Sequence, residues 1–301
     1  MEKGKIVVIG SSNTDMVIHS EQLPKGGETV LGGQFMMNPG GKGANQAVAA
    51  SRLGGEVTFV ARVGNDVFGT EAIKGLKKQG INTDFVATDK EYPSGVALIM
   101  VDDQGENCIS VALGANSTIH ISDIDKVAEL IEQASFVLVQ LEIPMEVVYH
   151  SVKLASGCGT KVVLNPAPAQ RLSDDLLSSL YMITPNQTET TLLTGIEVED
   201  ALGARKAANI LRDKGVDIVV ITMGSRGAYV LSDEEDQIVP CPQVKAIDTT
   251  AAGDTFNGAL LVGLSEGLKL IEAIEFANKA AACSVTKMGA QASAPSRNDI
   301  N

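Results

Sequence analysis

Phe136-Val137-Leu138-Val139-Gln140-Leu141, a helix-like run from Met145 to Ala155, and Val162-Val163-Leu164 form the stretch that decides the fold. Apolar runs this short, bounded by polar residues, read as strands buried on both faces. The amphipathic segment between them is long enough to carry the chain back across a sheet, as a parallel pair requires. The alternation continues outward with helix Ser173 to Ser179, strand Met182-Ile183, helices Thr188 to Thr194 and Ala201 to Lys214, and strands Ile218 to Thr222 and Ala228 to Leu231. On the amino-terminal side lie strand Lys5 to Ile9, a helix to Leu53, strand Val57 to Ala61, helix Thr70 to Gln79 stopped by Gly80, and a helix from Ile124 to Gln133. Such spacing predicts an α/β fold, a doubly wound and mainly parallel sheet flanked by helices.

Some segments break the pattern. Met16 to His19, Thr29-Val30-Leu31 and Gln34-Phe35-Met36 are short strand-like pieces without long helices beside them. Gly95 to Val101 and Cys108 to Val111 form a hairpin pattern through Asp102 to Asn107. Together they predict a small β-sheet lid, built from about 15–36 and 95–111, over the ligand edge of one domain spanning 1–301.

Composition narrows the function classes. With 301 residues, 44% of them hydrophobic, the chain has ample material for a core, and a net charge of -13 disfavours nucleic acid and anionic membranes as partners. Ile6 to Ile9 is too short for a signal-peptide core, and the apolar stretch near the C-terminus is broken by Ser265, Glu266, Lys269, Glu272 and Glu275. Cys108, Cys158, Cys241 and Cys283 are scattered and form no CxxC pair, so a reducing cytoplasm is expected.

Polar residues gather where strands end, the edge on which open α/β sheets bind ligands. Asn13 and Asp15 follow the first strand in a cluster that reads equally as a turn, and Glu142 and Asn165 follow later strands. Asn186 and Glu189, three residues apart, suit either water-mediated Mg²⁺ or a helix cap. Thr222-Met223-Gly224-Ser225-Arg226-Gly227 is a loop that could lie against a nucleotide or be a plain turn. Ala277, Asn278 and Ala281 could shelve a flat base or only pack a helix. Asn38 to Gln46 opens a helix with clustered glycines, but Gly41-Lys42-Gly43 lacks the Ser or Thr of a Walker A loop.

Asp248-Thr249-Thr250-Ala251-Ala252-Gly253-Asp254-Thr255-Phe256 places small residues between two aspartates at a helix start. Unpaired backbone amides there can hold an anion, and Asp254 could take a proton from an attacking hydroxyl. The same pattern fits an ordinary helix cap.

Asn38 to Ala47 with Arg62 to Gly69, Asp248 to Gly258, Asn13-Thr14-Asp15 and Asn186 to Glu189, in this order, resemble the ribokinase-like (PfkB) family of carbohydrate kinases over essentially the whole chain. The resemblance implies transfer of the ATP γ-phosphoryl group to the 5-hydroxyl of ribose. It makes Asp254 the base and the amides of Ala251, Ala252 and Gly253 an anion hole. It places the sugar on Asn13, Thr14, Asp15, Gly41, Lys42, Gly43, Ala44, Asn45 and Glu142, with the 2-hydroxyl within reach of the Asn13 amide. The nucleotide falls to Asn186, Thr222 through Gly227, Gly253, Asp254 and Asn278, and Mg²⁺ with its waters to Glu189. A monovalent cation, normally K⁺, is implied beside Asp248, Thr250, Ser284, Lys287, Gly289 and Ser293. A homodimer formed through the lid is implied as well. Kinases for 2-deoxyribose, another sugar or a nucleoside share the phosphate machinery, and a silent sugar-binding regulator would have lost Asp254 or Gly253.

Overall fold

The computed structural model describes residues 4–300. Strands β1 (Lys5–Ile9), β2 (Asn13–Ser20) and β3 (Gln34–Gly40) precede helix α1 (Lys42–Arg52). Next come β4 (Glu56–Gly64), α2 (Val67–Lys78), β5 (Val86–Asp89), β6 (Gly95–Asp102) and β7 (Asn107–Ala112). The middle of the chain holds α3 (Ile121–Asp125), α4 (Ala128–Gln133), β8 (Phe136–Val139), α5 (Met145–Gly157), β9 (Lys161–Leu164) and α6 (Asp174–Leu177). It continues through β10 (Met182–Ile183), α7 (Gln187–Thr194), α8 (Ala201–Asp213), β11 (Ile218–Thr222), β12 (Ala228–Leu231) and β13 (Asp236–Val239). Helices α9 (Ala252–Ser265), α10 (Leu270–Ser284) and α11 (Ala290–Ser293) close the chain.

Nine strands form one sheet in the order β13-β12-β11-β10-β9-β8-β1-β4-β5, parallel from β11 to β5, with β12 and β13 antiparallel at one edge. Alternate residues feed two cores. Val7, Ile9, Val137 and Val139 pack against α5 and α8, whereas Ile6, Val8, Phe136 and Leu138 pack against α1, α9 and α10. Burial on both faces is the physical reason these strands read as continuous apolar runs. The next strand of the large sheet, β4, lies on one side of β1 and β8 on the other, so the sheet's winding reverses between β1 and β8, the position where such folds leave a crevice.

A second sheet runs β3-β2-β6-β7. Its strands arise close to that crevice, since β2 begins four residues after β1 ends and β3 ends at Gly40, just before α1. Arg62 of β4 braces the neighbouring region, reaching Asp89 at 3.3 Å and Asp123 at 2.7 Å. Asp66 caps α2 by accepting from the Gly69 amide and also accepts from the Ser94 amide and hydroxyl, tying the start of β6 to the large sheet.

Several expectations are corrected. Asn13 and Asp15 lie in β2, paired on both sides, and not in a turn. Thr29 to Leu31 is not a strand, because glycines at 26–27 and 32–33 bracket it and Leu31 is 89% exposed. The helix expected from Ile124 to Gln133 is divided into α3 and α4, and α6 is a single turn. Strands β5 and β13 carry too few apolar residues to announce themselves.

Candidate active site

Helix α9 begins where the chain turns sharply. Ala251, its N-cap, has φ 58°, the sole non-glycine in the left-handed region among the described residues. That conformation costs a residue with a Cβ about 1 kcal/mol or more, and such strain clusters at functional sites. The first-turn residues Ala252 and Gly253 line a cleft of about 160 Å³, which Lys42, Asn165, Asn186, Glu189 and Asp254 also line, and the Ala252 amide donates to the Thr249 carbonyl at 3.3 Å. A Cβ added at Gly253 would meet no protein atom within 4 Å.

Asp254, in the first turn, is almost wholly buried. Its Oδ2 accepts from Asn45 Nδ2 at 3.1 Å and its Oδ1 from Gln46 Nε2 at 2.9 Å. Burial raises its pKa, opposed by the Lys42 ammonium and by these two amides. Gln46 Nε2 also donates to Asn165 Oδ1 at 2.9 Å, and its Oε1 accepts from Gln140 Nε2 at 2.6 Å. Farther along, Thr184 donates to Asn257 Oδ1 at 2.6 Å, and Asn257 Nδ2 donates to the Gly253 carbonyl at 2.8 Å. The carboxylate and the Gly253 carbonyl beside it are thus both held by buried side-chain amides.

Lys42 opens α1 after Gly41, which has φ 88°. A Cβ on Gly41 would come within 2.7 Å of the Asn13 nitrogen, and one on Gly43 within 2.7 Å of Gly10, so α1 can press its first turn onto the end of β1. Glu142 Oε2 accepts from the Lys42 amide at 3.0 Å and the Ser11 hydroxyl at 2.5 Å. Burial works against the Lys42 charge, yet Asp254, Glu142, Glu189 and Asp15 outweigh it and raise the ammonium pKa. Burial first, then Glu142 and Asp254, push Asp15 up to about 6. Four carboxylates around one lysine leave a negative field, a setting that favours a cation or a hydrogen-bonding polyol. Asn45 Oδ1 is buried without a protein partner, a second acceptor awaiting a donor.

Asp15 lines a cleft of about 530 Å³ between the small sheet and the segment Ile247 to Thr250. Thr14, one residue earlier, points to the opposite face, into a separate cavity that Ala44 also lines. Asn13 is 5% exposed, and its Oδ1 accepts from Asn116 Nδ2 at 2.8 Å.

A third cleft of about 380 Å³ abuts Gly253. Thr222, Gly224, Ser225, Gly227, Asn278 and Ala281 line it. Met223 is buried, and the Arg226 guanidinium turns to the Glu199 carbonyl, so neither side chain contributes. Asn278 Nδ2 donates to the carbonyls of Val239 and Pro240, which ties β13 to α10. Asn186 and Glu189 form a complete capping box on α7, with both carboxylate oxygens of Glu189 bonded to Asn186 nitrogens. Glu189 still faces the cleft, and burial raises its pKa.

Asp248 Oδ1 accepts from the Thr250 amide at 2.9 Å, and Oδ2 from the Gly289 amide at 2.8 Å. The Ile247 amide donates to the Val285 carbonyl at 2.7 Å, joining the loop before α9 to the end of α10. Ser284 and Ser293 spend their hydroxyls on the Ala281 and Ala290 carbonyls, and the Lys287 amide bonds the Ser284 carbonyl. Among the described residues, no three His, Cys, Asp or Glu side chains cluster as a metal site. Any Mg²⁺ or K⁺ here would draw on single carboxylates, carbonyls, water and phosphate oxygens, and Glu189 and the Asp248 loop have that donor chemistry.

The sequence placed Asn165 at the ligand edge without a specific role and gave none to Gln46, Gln140, Thr184, Asn257, Ser11 or Asn116. Two of them carried a signal. Gln140 follows four apolar residues, and Asn257 interrupts a helix that is otherwise apolar on every side.

A strained helix start beside a buried carboxylate, at the crevice of a doubly wound sheet and between two clefts, defines a small-molecule kinase. The chain belongs to the pfkB family of carbohydrate kinases, whose family model matches residues 3–297. It is 45% identical over 294 residues to the ribokinase of Haemophilus influenzae, covering 98% of this chain and 96% of that one. It is also 38% identical to the deoxyribokinase of Salmonella typhimurium, covering 98% and 97%. The structure of the Arabidopsis thaliana ribokinase complexed with ribose and ATP superposes with a TM-score of 0.91 at 32% identity, over 100% of this chain and 98% of that one.

Proposed function

We propose that this protein transfers the γ-phosphoryl group of ATP to the 5-hydroxyl of D-ribose, giving ribose 5-phosphate. The observation that carries the reading is Asp254, buried, held by Asn45 and Gln46, and directly after Ala252 and Gly253, which line the cleft at the start of α9. Ribose lies against Asn13, Asp15, Gly41, Lys42, Asn45 and Glu142, and Asp254 accepts the 5-hydroxyl proton as the oxygen attacks. Ala251, Ala252 and Gly253 stabilise charge on the transferring phosphoryl group with backbone N–H donors, the usual dominant contribution in such sites. ATP occupies the cleft lined by Thr222, Gly224, Ser225, Gly227 and Asn278, with its phosphates toward Asn186 and Lys42.

Mg²⁺, when bound, would neutralise phosphate charge, and Glu189 would hold its waters. Asp248, Thr250, Ser284, Lys287, Gly289 and Ser293 would hold K⁺, and a cation there would steady the loop leading into α9. Supporting this, Asp248 already fastens that loop to Gly289.

The chain works as one domain with the small sheet as a lid. Val17, Ile99 and Val101 of that sheet line the sugar cleft. Its outer face exposes Ile18, Phe35, Met37 and Leu98, and an apolar patch of this kind supports a homodimer formed through the lid. Four free cysteines, and no helix among the described residues long and apolar enough to cross a membrane, suit a cytoplasmic enzyme.

Phosphorylation of 2-deoxyribose is the second reading, favoured by the similarity to a deoxyribokinase. Turnover with ATP on ribose, 2-deoxyribose, fructose and adenosine, with and without K⁺, tests both. Ribose is expected to give the highest kcat/KM, with K⁺ raising the rate; absence of turnover on all four refutes the kinase reading.

A further inference from the structure

We propose that Asn116 locks the orientation of the Asn13 amide, so that Asn13 meets the sugar as a hydrogen-bond donor while Asp15 meets it as an acceptor. The inference rests on the ribose reading and gives it a basis for pentose selectivity.

An amide oxygen and nitrogen are hard to tell apart by shape, and a fixed reference is needed. The Ser12 backbone N–H supplies it, because it can only donate. It meets Asn116 Oδ1 at 2.9 Å, so the other terminal atom of Asn116 is its NH₂. That NH₂ donates to the Ser12 carbonyl at 3.2 Å and to Asn13 Oδ1 at 2.8 Å. The Asn13 oxygen therefore faces Asn116, and Asn13 Nδ2 has no protein acceptor among the described residues.

Three features hold the arrangement. Asn116 is fully buried, so no solvent competes for its bonds. Gly95, the cross-strand neighbour of Asn13 in β6, lies against the amide pair, and a Cβ there would strike both Asn116 Nδ2 and Asn13 Oδ1. The alternation of β2 puts Asn13 on the same face as Asp15, which lines the sugar cleft, while Asn13 itself borders the adjoining cavity with Ser12 and Thr14. A sugar hydroxyl has one hydrogen. Given to the Asp15 carboxylate, it leaves lone pairs for which the only complementary neighbour is a donor, and the locked amide of Asn13 is that donor. A 2-deoxy sugar would leave it unpaired. Asn116 touches no substrate; it is a positioning residue.

Asn116→Asp tests this. The aspartate keeps an acceptor for the Ser12 amide at nearly the same volume but cannot donate to Asn13. Asn13 then turns its NH₂ to the new carboxylate and its oxygen to the sugar, so two acceptors compete for one hydrogen. The ratio of kcat/KM for ribose to that for 2-deoxyribose, measured at pH 8, is expected to fall roughly tenfold or more, the scale of one hydrogen bond at a buried amide. A general loss of packing would lower both rates and leave the ratio unchanged, and a folded variant with the wild-type ratio overturns the proposal. Neutron diffraction from wild-type crystals gives an answer independent of any variant. Deuterons on the Asn13 atom facing the cleft support the lock, and deuterons on the atom facing Asn116 refute it. A wild-type enzyme inactive on both pentoses refutes the ribose reading instead, and the neutron result still decides the amide orientation.

Discussion

Gln46 Nε2 donates a 2.9 Å hydrogen bond to Asp254 Oδ1, joining α1 to the first turn of α9 across 208 residues of sequence. The same nitrogen serves Asn165, and the Gln46 oxygen is fixed by Gln140, so the amide has one orientation and the carboxylate one setting.

Gln46→Leu removes that bond. Since the Gln46 amide favours the ionised carboxylate, its loss raises the Asp254 pKa further. The acid limb of the kcat profile is expected to move to higher pH, with kcat at pH 8 reduced about 10-fold or more, the cost of one charge-assisted hydrogen bond. An unmoved limb in a folded variant counts against a role for Gln46.

Asp254→Asn keeps the shape of the side chain but cannot accept the proton. A kcat lower by about 10²–10⁴ is expected, with ribose affinity by calorimetry changed only a few-fold. Retention of most turnover would exclude Asp254 as the base.

Asp15 gives the site a pH dependence of its own. With its pKa raised to about 6, the carboxylate proposed to hold the sugar would be acceptor-only above that pH and would trade part of that acceptor capacity for an O–H donor below it. KM for ribose is expected to rise as pH falls through 6. The stability effect has the opposite sign to that of an ion-paired acid: the unfolded chain ionises more readily than the folded one, so the charge costs stability above pH 6, and the cost fades as pH falls toward 4. Asp15→Asn is accordingly expected to raise Tm at pH 8 by about 2–6 °C while it weakens ribose binding. A lower Tm in calorimetry would contradict this.

Arg62 neutralises two acids that are nearly buried. Asp89 is held well below the usual carboxylate range by the Thr118 hydroxyl and the Tyr92 and Glu91 amides, with Arg62 adding to them. Burial opposes the Asp123 charge, but Arg62 and Lys126 prevail and lower its pKa. This stability is present above the ordinary pKa near 4 and is lost as pH falls below it. Arg62→Met leaves both carboxylates without their shared partner and is expected to cost about 3 kcal/mol at pH 7, less at pH 3.5. Denaturant titrations at the two pH values check the trend.

Phe35→Glu places a charge on the outer face of the small sheet, where Phe35 is 62% exposed. If two copies meet there, sedimentation should show a dimer for the wild-type protein and a monomer for the variant. A variant that sediments like the wild type would exclude this face as the contact.

The large sheet was legible because burial on two faces writes itself into the chain as unbroken apolar runs such as Phe136 to Val139. Asp254 was legible because small residues and an acid open an apolar helix. Strand β13, Asp-Gln-Ile-Val, was not, since an edge strand needs few apolar residues once its neighbour supplies the backbone partners. The amide chain behind Asp254 was equally hidden. Gln46, Gln140 and Asn165 have meaning only together, and their meeting is set by packing between elements about 100 residues apart. For Glu189, the cap and the cleft-facing carboxylate proved to be one side chain in both settings, so local pattern alone had no choice to make.

The glycines around the site answer to two different constraints. Gly41 and Gly43 are required by the protein itself, because a methyl group at either would run into the chain at Gly10 to Asn13. Gly253 is not, for a methyl group there enters open space. A screen that scores only folding would therefore defend the first two and accept alanine at the third, even though that methyl group would sit where the proposed mechanism puts the phosphoryl group. On that mechanism the requirement for Gly253 comes from the cargo, and it shows itself only while the enzyme is turning over.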